Sequence, residues 1–394
     1  MAEVITSEKS YSAKPLSLLI FKSKTMLRKI FLGAIVCASF NTGFSQTDST
    51  KAATDTSKAA AAAPTSPAPT ITGSVDMYYR FNFNDPKAGG TLNNYTSFTN
   101  SHNSFELGMA SIRADHTFGK ASATIDLGFG RRAEEFAYAN PEHPTLFAIK
   151  QAFLSYAITD KFKLTMGKWA THIGYEVPDA YSNRNYSMDY MFSYGPFSHT
   201  GLRADIVLGK VSGLMFGLAN ETDNVSTMAS AKYLIAQYST GSANGKVKFY
   251  LNYQGSYNSS YSVTQFDAVL TATVTDKFSL GYNGTFQTRK PEGLSSGTWW
   301  GSAVYLNLDP STKFGITLRG EYFDNKDSVL GAGTRFAGSN VFDVTLSPNI
   351  RIGNLTIIPE LRLDAASAEI FDKTDGVTGI KSTVSALLAA TYHF

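Results

Sequence analysis

Lys381-Ser-Thr-Val-Ser-Ala-Leu-Leu-Ala-Ala-Thr-Tyr-His-Phe394 reads as a strand that finishes on an aromatic residue. Side chains in a strand alternate with a period of two, so Val384, Ala386, Leu388, Ala390, Tyr392 and Phe394 share one face. Ser385, Thr391 and His393 are offset toward the other. An apolar stripe of this kind on a free edge would recruit partners in a water-soluble protein. It suits a barrel in an outer membrane, where a last strand pairs with the first. The other alternating segments then become lipid-facing and lumen-facing rows.

Those segments recur from Ile71 onward. Ile71, Val75, Met77, Tyr79 and Phe81 oppose Asp76 and Arg80, and Ala123, Ile125 and Leu127 oppose Asp126. Val247, Phe249 and Leu251 oppose Lys246 and Lys248, while Phe278, Leu280, Tyr282 and Phe286 oppose Arg289. Phe314, Ile316 and Leu318 oppose Arg319 and Glu321, and Leu355, Ile357, Leu361 and Leu363 oppose Glu360, Arg362 and Asp364. A period of two with charges on one row is the strand signature of a transmembrane barrel with a wet interior. A charge facing lipid at the midplane costs about 2–4 kcal/mol for Arg or Lys. The rows holding Asp76, Arg80, Asp126, Lys246, Lys248, Arg289, Arg319, Glu321, Glu360, Arg362 and Asp364 are therefore assigned to the lumen, as pore-lining residues.

Connections alternate between short and long. Thr117–Lys120, Thr159–Lys161, Gly209–Val211, Thr275–Lys277 and Ile352–Asn354 are tight turns. Between them run Asn84–Asn103, Arg131–Pro144, Thr171–Phe197, Glu221–Ser230, Pro291–Gly297, Asp324–Ala337 and Ala365–Gly379. Short periplasmic turns and longer outer loops are the asymmetry of outer-membrane barrels. The fold expected is all-β, a transmembrane antiparallel up-and-down barrel of about sixteen strands. Phe105–His116 is hard to phase and is read as holding a bulge. Tyr78, Tyr79, Trp299, Trp300, Tyr322, Phe323, Tyr392 and Phe394 lie near strand ends and suit interfacial girdles. Thr171–Phe197 is long enough to fold inward and narrow a channel.

Composition agrees by exclusion. A net charge of +3 gives no nucleic-acid footprint, and 21 Tyr, 27 Phe and 32 Gly stand against one Cys. No apolar run reaches the ~18 residues a membrane-spanning helix needs, and lipid otherwise admits only closed sheets. Met26-Leu-Arg-Lys29, the apolar Ile30–Phe40 and the small residues at Gly43 and Ser45 have the layout of a secretory signal peptide. Cleavage is expected before Gln46. Residues 1–25 add nothing such a peptide requires and read as a mis-assigned extension ahead of a start at Met26. Val36 precedes Cys37 where a lipoprotein needs a small residue. Residues 46–70, rich in Ala, Thr, Ser, Lys and Pro, read as a disordered leader, and residues 71–394 as the barrel.

Gly167-Lys-Trp-Ala-Thr-His-Ile-Gly-Tyr-Glu176, with Asn183, Asn185 and Pro196-Phe-Ser-His-Thr-Gly201, resembles β-barrel porins of the OmpL-like group, common in Bacteroidetes. Arg319-Gly-Glu-Tyr-Phe-Asp324 and Pro359-Glu-Leu-Arg362 resemble that family's later strand motifs. The resemblance implies an outer-membrane pore and brings no catalytic residues.

Enzymatic readings are weaker. Gly293-Leu-Ser-Ser-Gly297 matches G-x-S-x-G but lacks the strand, sharp turn and helix a nucleophile elbow needs. Ser198-His199 invites comparison with outer-membrane lipid hydrolases, yet the sequence assigns it no third member. His102, His116, His143 and His172 have no metal spacing. Asp324–Asp327 and Asp372–Gly376 lack the full calcium-loop pattern. The expectation is a non-enzymatic porin, without cofactor or metal, passing small hydrophilic solutes and ions. The alternatives are a plugged structural or adhesive barrel and a barrel lipid hydrolase. Expected partners are outer-membrane lipid and lipopolysaccharide, the barrel-assembly machinery through the strand ending at Phe394, small polar solutes and a further copy of the chain.

Overall fold

Alternating residues become sixteen antiparallel strands that close into one barrel. The computed structural model describes residues 67–87, 91–137, 146, 148–228, 231–257, 261–376 and 379–394. The expected signal peptide and most of the expected leader lie outside those residues. The strands are β1 (Thr70–Asn82), β2 (Ser104–Phe118), β3 (Ala121–Phe129), β4 (Ile149–Thr159) and β5 (Phe162–Ala170). Then come β6 (Ser198–Val207), β7 (Gly213–Ala219), β8 (Tyr233–Gly241), β9 (Val247–Tyr257) and β10 (Tyr261–Thr273). β11 (Phe278–Pro291), β12 (Gly297–Ser311), β13 (Phe314–Asp324), β14 (Asn340–Ile352) and β15 (Leu355–Ala366) lead to a closing strand, Ser382–His393.

The seam forms as the terminal stripe requires. The closing strand pairs with both β15 and β1, with Ser74 opposite His393 and Asn82 opposite Ser385. Gly73 and Phe394 exchange two backbone bonds, at 3.0 and 2.9 Å. Leu388, Tyr392 and Phe394 are exposed on the outer wall, while Thr383, Ser385 and Thr391 are buried inside it. Outer Leu154, Met166, Leu218, Phe342 and Leu361 are likewise exposed. This is the lipid-facing row expected of such a barrel.

Two bulges set which side chains reach the interior, because an extra residue shifts the alternation. The β1–β2 register skips Gly108 between Asp76 and Met77, inside the segment that resisted phasing. A Cβ at 108 would collide with the Asp76 carboxylate and the Tyr186 hydroxyl. The β3–β4 register skips Lys150 between Asp126 and Leu127, and Lys150 and Gln151 both line the interior.

Two expectations are corrected, and one turn is added. Lys246 is not in a strand: Ser242–Lys246 is a turn, with Asn244 Oδ1 accepting the Lys246 N–H at 3.1 Å and Gly245 at φ 72°. β12 and β13 meet in a further turn at Thr312-Lys313. Of the strand-end aromatics, Tyr78, Trp299 and Phe323 are buried inside the barrel. Each has a sequence neighbour on the outer wall, since adjacent strand residues point to opposite faces.

Candidate functional site

Residues 171–197, between β5 and β6, fold into the barrel and lie against the wall made by β12–β15, the closing strand and β1. The loop carries a single helical turn, α1, at Tyr190–Tyr194, capped by Asp189, whose carboxylate accepts the Phe192 N–H at 2.6 Å. Glu321 accepts the N–H groups of Tyr190 and Met191 at 2.7 and 2.9 Å. Glu360 accepts those of Tyr186 and Ser187 at 2.8 and 3.1 Å. In return Arg319 donates to the Ser187 carbonyl at 2.8 Å, and Arg362 to that of Met188 at 2.7 Å. Tyr186 and Tyr190 hydroxyls donate to Asp76 at 2.5 Å and Asp364 at 2.9 Å.

The charges on that wall are therefore partnered as well as inward. Arg319 pairs with Glu176 at 2.7 Å and Asp343 at 3.2 Å, and Arg362 with Asp343 at 2.7 Å and Asp364 at 2.8 Å. Burying these ions unpaired would cost several kcal/mol each, so the network and the loop stand or fall together. Above it, near the long loops, Tyr190, Trp299, Phe323, Phe336 and Phe371 form an apolar core.

Each residue assigned to the lumen from sequence has a definite place. Asp76, Glu321, Glu360, Arg319, Arg362 and Asp364 point inward but are covered by the inserted loop. Arg80 donates to the carbonyls of Leu92, Asn93 and Ser101, fastening an outer loop across the mouth. Lys248 is exposed near the short-turn end, and Lys246 lies in its turn. Arg289 is half-buried in the opposite mouth, donating to Gln287. Asp126 alone of the eleven lines the larger remaining cavity.

That cavity, about 440 Å³, opens on the β2–β9 side of the inserted loop toward the short turns. Arg113, Lys150, Lys163, Arg203, Asp126, Asp179 and Asp205 supply its charges and Phe153, Trp169 and Tyr250 its aromatic surface. Sequence reading missed Lys150, Lys163 and Arg203; the pairs Lys163/Thr165 and Arg203/Asp205 did carry the alternation that could have found them. A second cavity of about 190 Å³ lies toward the long loops, beside Tyr194, Glu221, Tyr233 and Arg289. Along β8, Tyr233 lines the second cavity and Gln237 the first. Between them sits Ile235, with no exposed surface, packed with Trp169, Met215 and Val263.

The hydrolase candidates are not brought together. Ser198 Oγ faces Asp223 at 3.4 Å, whereas His199 Nε2 contacts Thr171 Oγ1 at 3.0 Å and its ring packs on His172. Asp223, in the outer β7–β8 loop, also accepts the Phe197 and Ser198 N–H groups at 2.8 and 2.6 Å. Burial pushes its carboxyl up to about 7, against the lowering effect of those bonds. Gly293–Gly297 joins β11 to β12, with a strand and not a helix after it. Asp324 faces Lys326 and Asp372 faces Arg335, and among the described residues no group of three metal-ligating side chains assembles.

A closed sixteen-stranded antiparallel barrel with polar interior rows and a long loop folded within it is the porin class of β-barrel. Residues 69–394 match the family described as "Putative beta-barrel porin-2, OmpL-like", and the chain belongs to it. No curated protein matches the chain. Among solved structures, the outer membrane channel DcaP of Acinetobacter baumannii aligns with a TM-score of 0.56 at 12% identity, over 83% of this chain and 97% of that one. The anion-selective porin from Comamonas acidovorans gives 0.55 at 12% identity, over 83% and 99%. OmpT of Vibrio cholerae gives 0.53 at 10%, over 83% and 97%. At these identities the likeness is one of fold.

Proposed function

We propose that the protein is an outer-membrane channel through which small hydrophilic solutes and ions diffuse passively, restricted in size by the loop 171–197. The observation that carries this reading is the charge-lined cavity left on the side of the barrel the loop does not fill. A water-filled lumen is what a barrel of this strand number provides, and charged walls set ion preference. The apolar packing around Ile235 lies between the two cavities on that route, and apolar constrictions gate by excluding water. The outer-membrane address rests on the signal-peptide layout and the apolar outer wall; lipid and lipopolysaccharide would bathe that wall, and the assembly machinery would receive the closing strand. Porin-class neighbours include a trimer form, and a multi-copy assembly of this chain is part of the proposal.

Planar-bilayer conductance of the refolded chain from Gln46 to Phe394, under a salt gradient, tests it. Discrete steps are expected, with a reversal potential reporting ion preference. Silence from protein that keeps heat-modifiable gel mobility would overturn the open-channel reading. The fastening of the loop to the Arg319/Arg362 network favours, as a second reading, a barrel whose resting state is plugged.

A further inference from the structure

The larger cavity has two walls of opposite charge balance. On the β5–β6 wall, Lys163 and Arg203 share one carboxylate, Asp205, at 3.7 and 3.6 Å. On the wall made by β3, β4 and the inserted loop, Asp126 and Asp179 share one ammonium, Lys150, at 3.1 and 2.5 Å. Arg113 beside them is matched by Asp115 at 2.6 Å, so it leaves that wall's balance unchanged. One wall thus carries a surplus positive charge and the other a surplus negative charge. Lys150 reaches this position because of the β4 bulge.

The cavity wall also holds a polar atom without a partner: Trp169, only 1% exposed, has an Nε1–H with no hydrogen-bond partner among the described residues. The Arg203 guanidinium lies 5.0 Å from the Trp169 ring centroid, so cation and aromatic surface are presented together. Asp126 on β3 stands level with Gln151 of β4 and Lys163 on β5 with Ala157, so the two are separated by two strand spacings across the sheet, about 10 Å, and by about 20 Å along it; long side chains reaching in from both ends narrow that gap. A single amino acid, with its charges on one carbon, would not bridge it. Two or three residues would, at about 3.3–3.6 Å each, and a cavity of about 440 Å³ is of the size that encloses small organic ligands.

We propose that this cavity is a binding site for short zwitterionic peptides of two or three residues, the carboxylate end held at Lys163 and Arg203 and the ammonium end at Asp126 and Asp179. The inference rests on the channel reading, in that the site would lie on the solute's route. It goes further by naming the solute class and its orientation.

The test is equilibrium dialysis of the folded, detergent-solubilised chain with alanyl-phenylalanyl-alanine, its carboxyl-terminal amide and its N-acetyl form. These share one peptide skeleton, and each analogue removes the charge from one end. The zwitterion is expected to bind roughly threefold or more tightly than either analogue. Lys163→Gln should bring the peptide and its amide to equal affinity, and Asp179→Asn the peptide and its N-acetyl form. Lys163 is partly exposed, so Lys163→Gln leaves the buried packing intact, and heat-modifiable mobility checks that both variants fold. Equal binding of all three peptides, or two variants that lose affinity without this cross-pattern, would overturn the proposal. Conductance measured in parallel separates the two readings. A conducting barrel without preference keeps the channel and removes the site, and a silent barrel that still discriminates keeps the site and removes the channel.

Discussion

The Tyr186 hydroxyl donates to Asp76 at 2.5 Å, joining the middle of the inserted loop to the first strand across 110 residues of sequence. Both groups are buried, and Arg132 stacks on the Tyr186 ring at 4.8 Å. Removing the hydroxyl leaves Asp76 with Arg132 at 3.8 Å as its remaining ionic contact. Tyr186→Phe should lower stability by about 1.5–3 kcal/mol, the worth of a bond to a charged acceptor. Heat-modification midpoints in detergent will check this, with the barrel still forming.

Glu321 and Glu360 each cap two loop N–H groups, so replacing both by Ala strips four backbone donors of their acceptors at once. The double variant is expected to release the loop, raising unit conductance and exposing Thr171–Phe197 to protease. Unchanged conductance with a cleaved loop would show that the loop does not limit the current.

Ile235 separates the two cavities along β8. Ile235→Ser introduces a hydroxyl and removes apolar volume where Trp169 and Val263 close in. Conductance should rise about twofold or more if wetting is the barrier there, with no change in gel mobility. An unaltered current places the resistance elsewhere in the lumen.

Asp223 gives the outer β7–β8 loop a pH dependence. Its folded value, about 7, stands above the ordinary carboxyl value of 3.8, so the folded loop holds the proton more tightly than the unfolded chain. The stability it contributes is complete below about pH 4 and declines as pH rises through 7. Limited proteolysis of residues 220–232 should accordingly be slower at pH 5 than at pH 8, and Asp223→Asn should flatten that difference.

Gly108 has no room for a side chain between Asp76 and Tyr186. Gly108→Val should prevent the β1–β2 bulge from seating and sharply lower the yield of heat-modifiable barrel. Gly119→Ala, in the open β2–β3 turn where no atom lies within 4 Å, is the control and should cost little beyond its positive φ.

The barrel was legible because strand alternation and turn chemistry are local signals. The closing stripe, the five tight turns and the long loops each depend on a few consecutive residues. Ser242–Lys246 escaped notice because its turn depends on Asn244 and Ser242 side chains bonding to the backbone, a pattern that looks like one more polar stretch. The inward direction of Arg319, Glu321 and Arg362 was legible too. Their role was not, since a row of charges says which side it faces and nothing about what is packed against it. The partners that bury them lie about 130 to 170 positions away in the loop. Lys150 was hidden for a different reason: a bulge breaks the very alternation used to find inward residues.

The seam between β1 and the closing strand has a kinetic consequence. Every other strand pair in the wall is formed between neighbours in sequence, so hairpins can accumulate as the chain becomes available. The seam joins segments some three hundred residues apart, and ring closure over that span carries the largest entropic penalty in the molecule. Until it happens, the edges of β1 and Ser382–His393 are open templates for another chain. The interval before closure, more than any weakness of the finished wall, is when this protein is most exposed to aggregation.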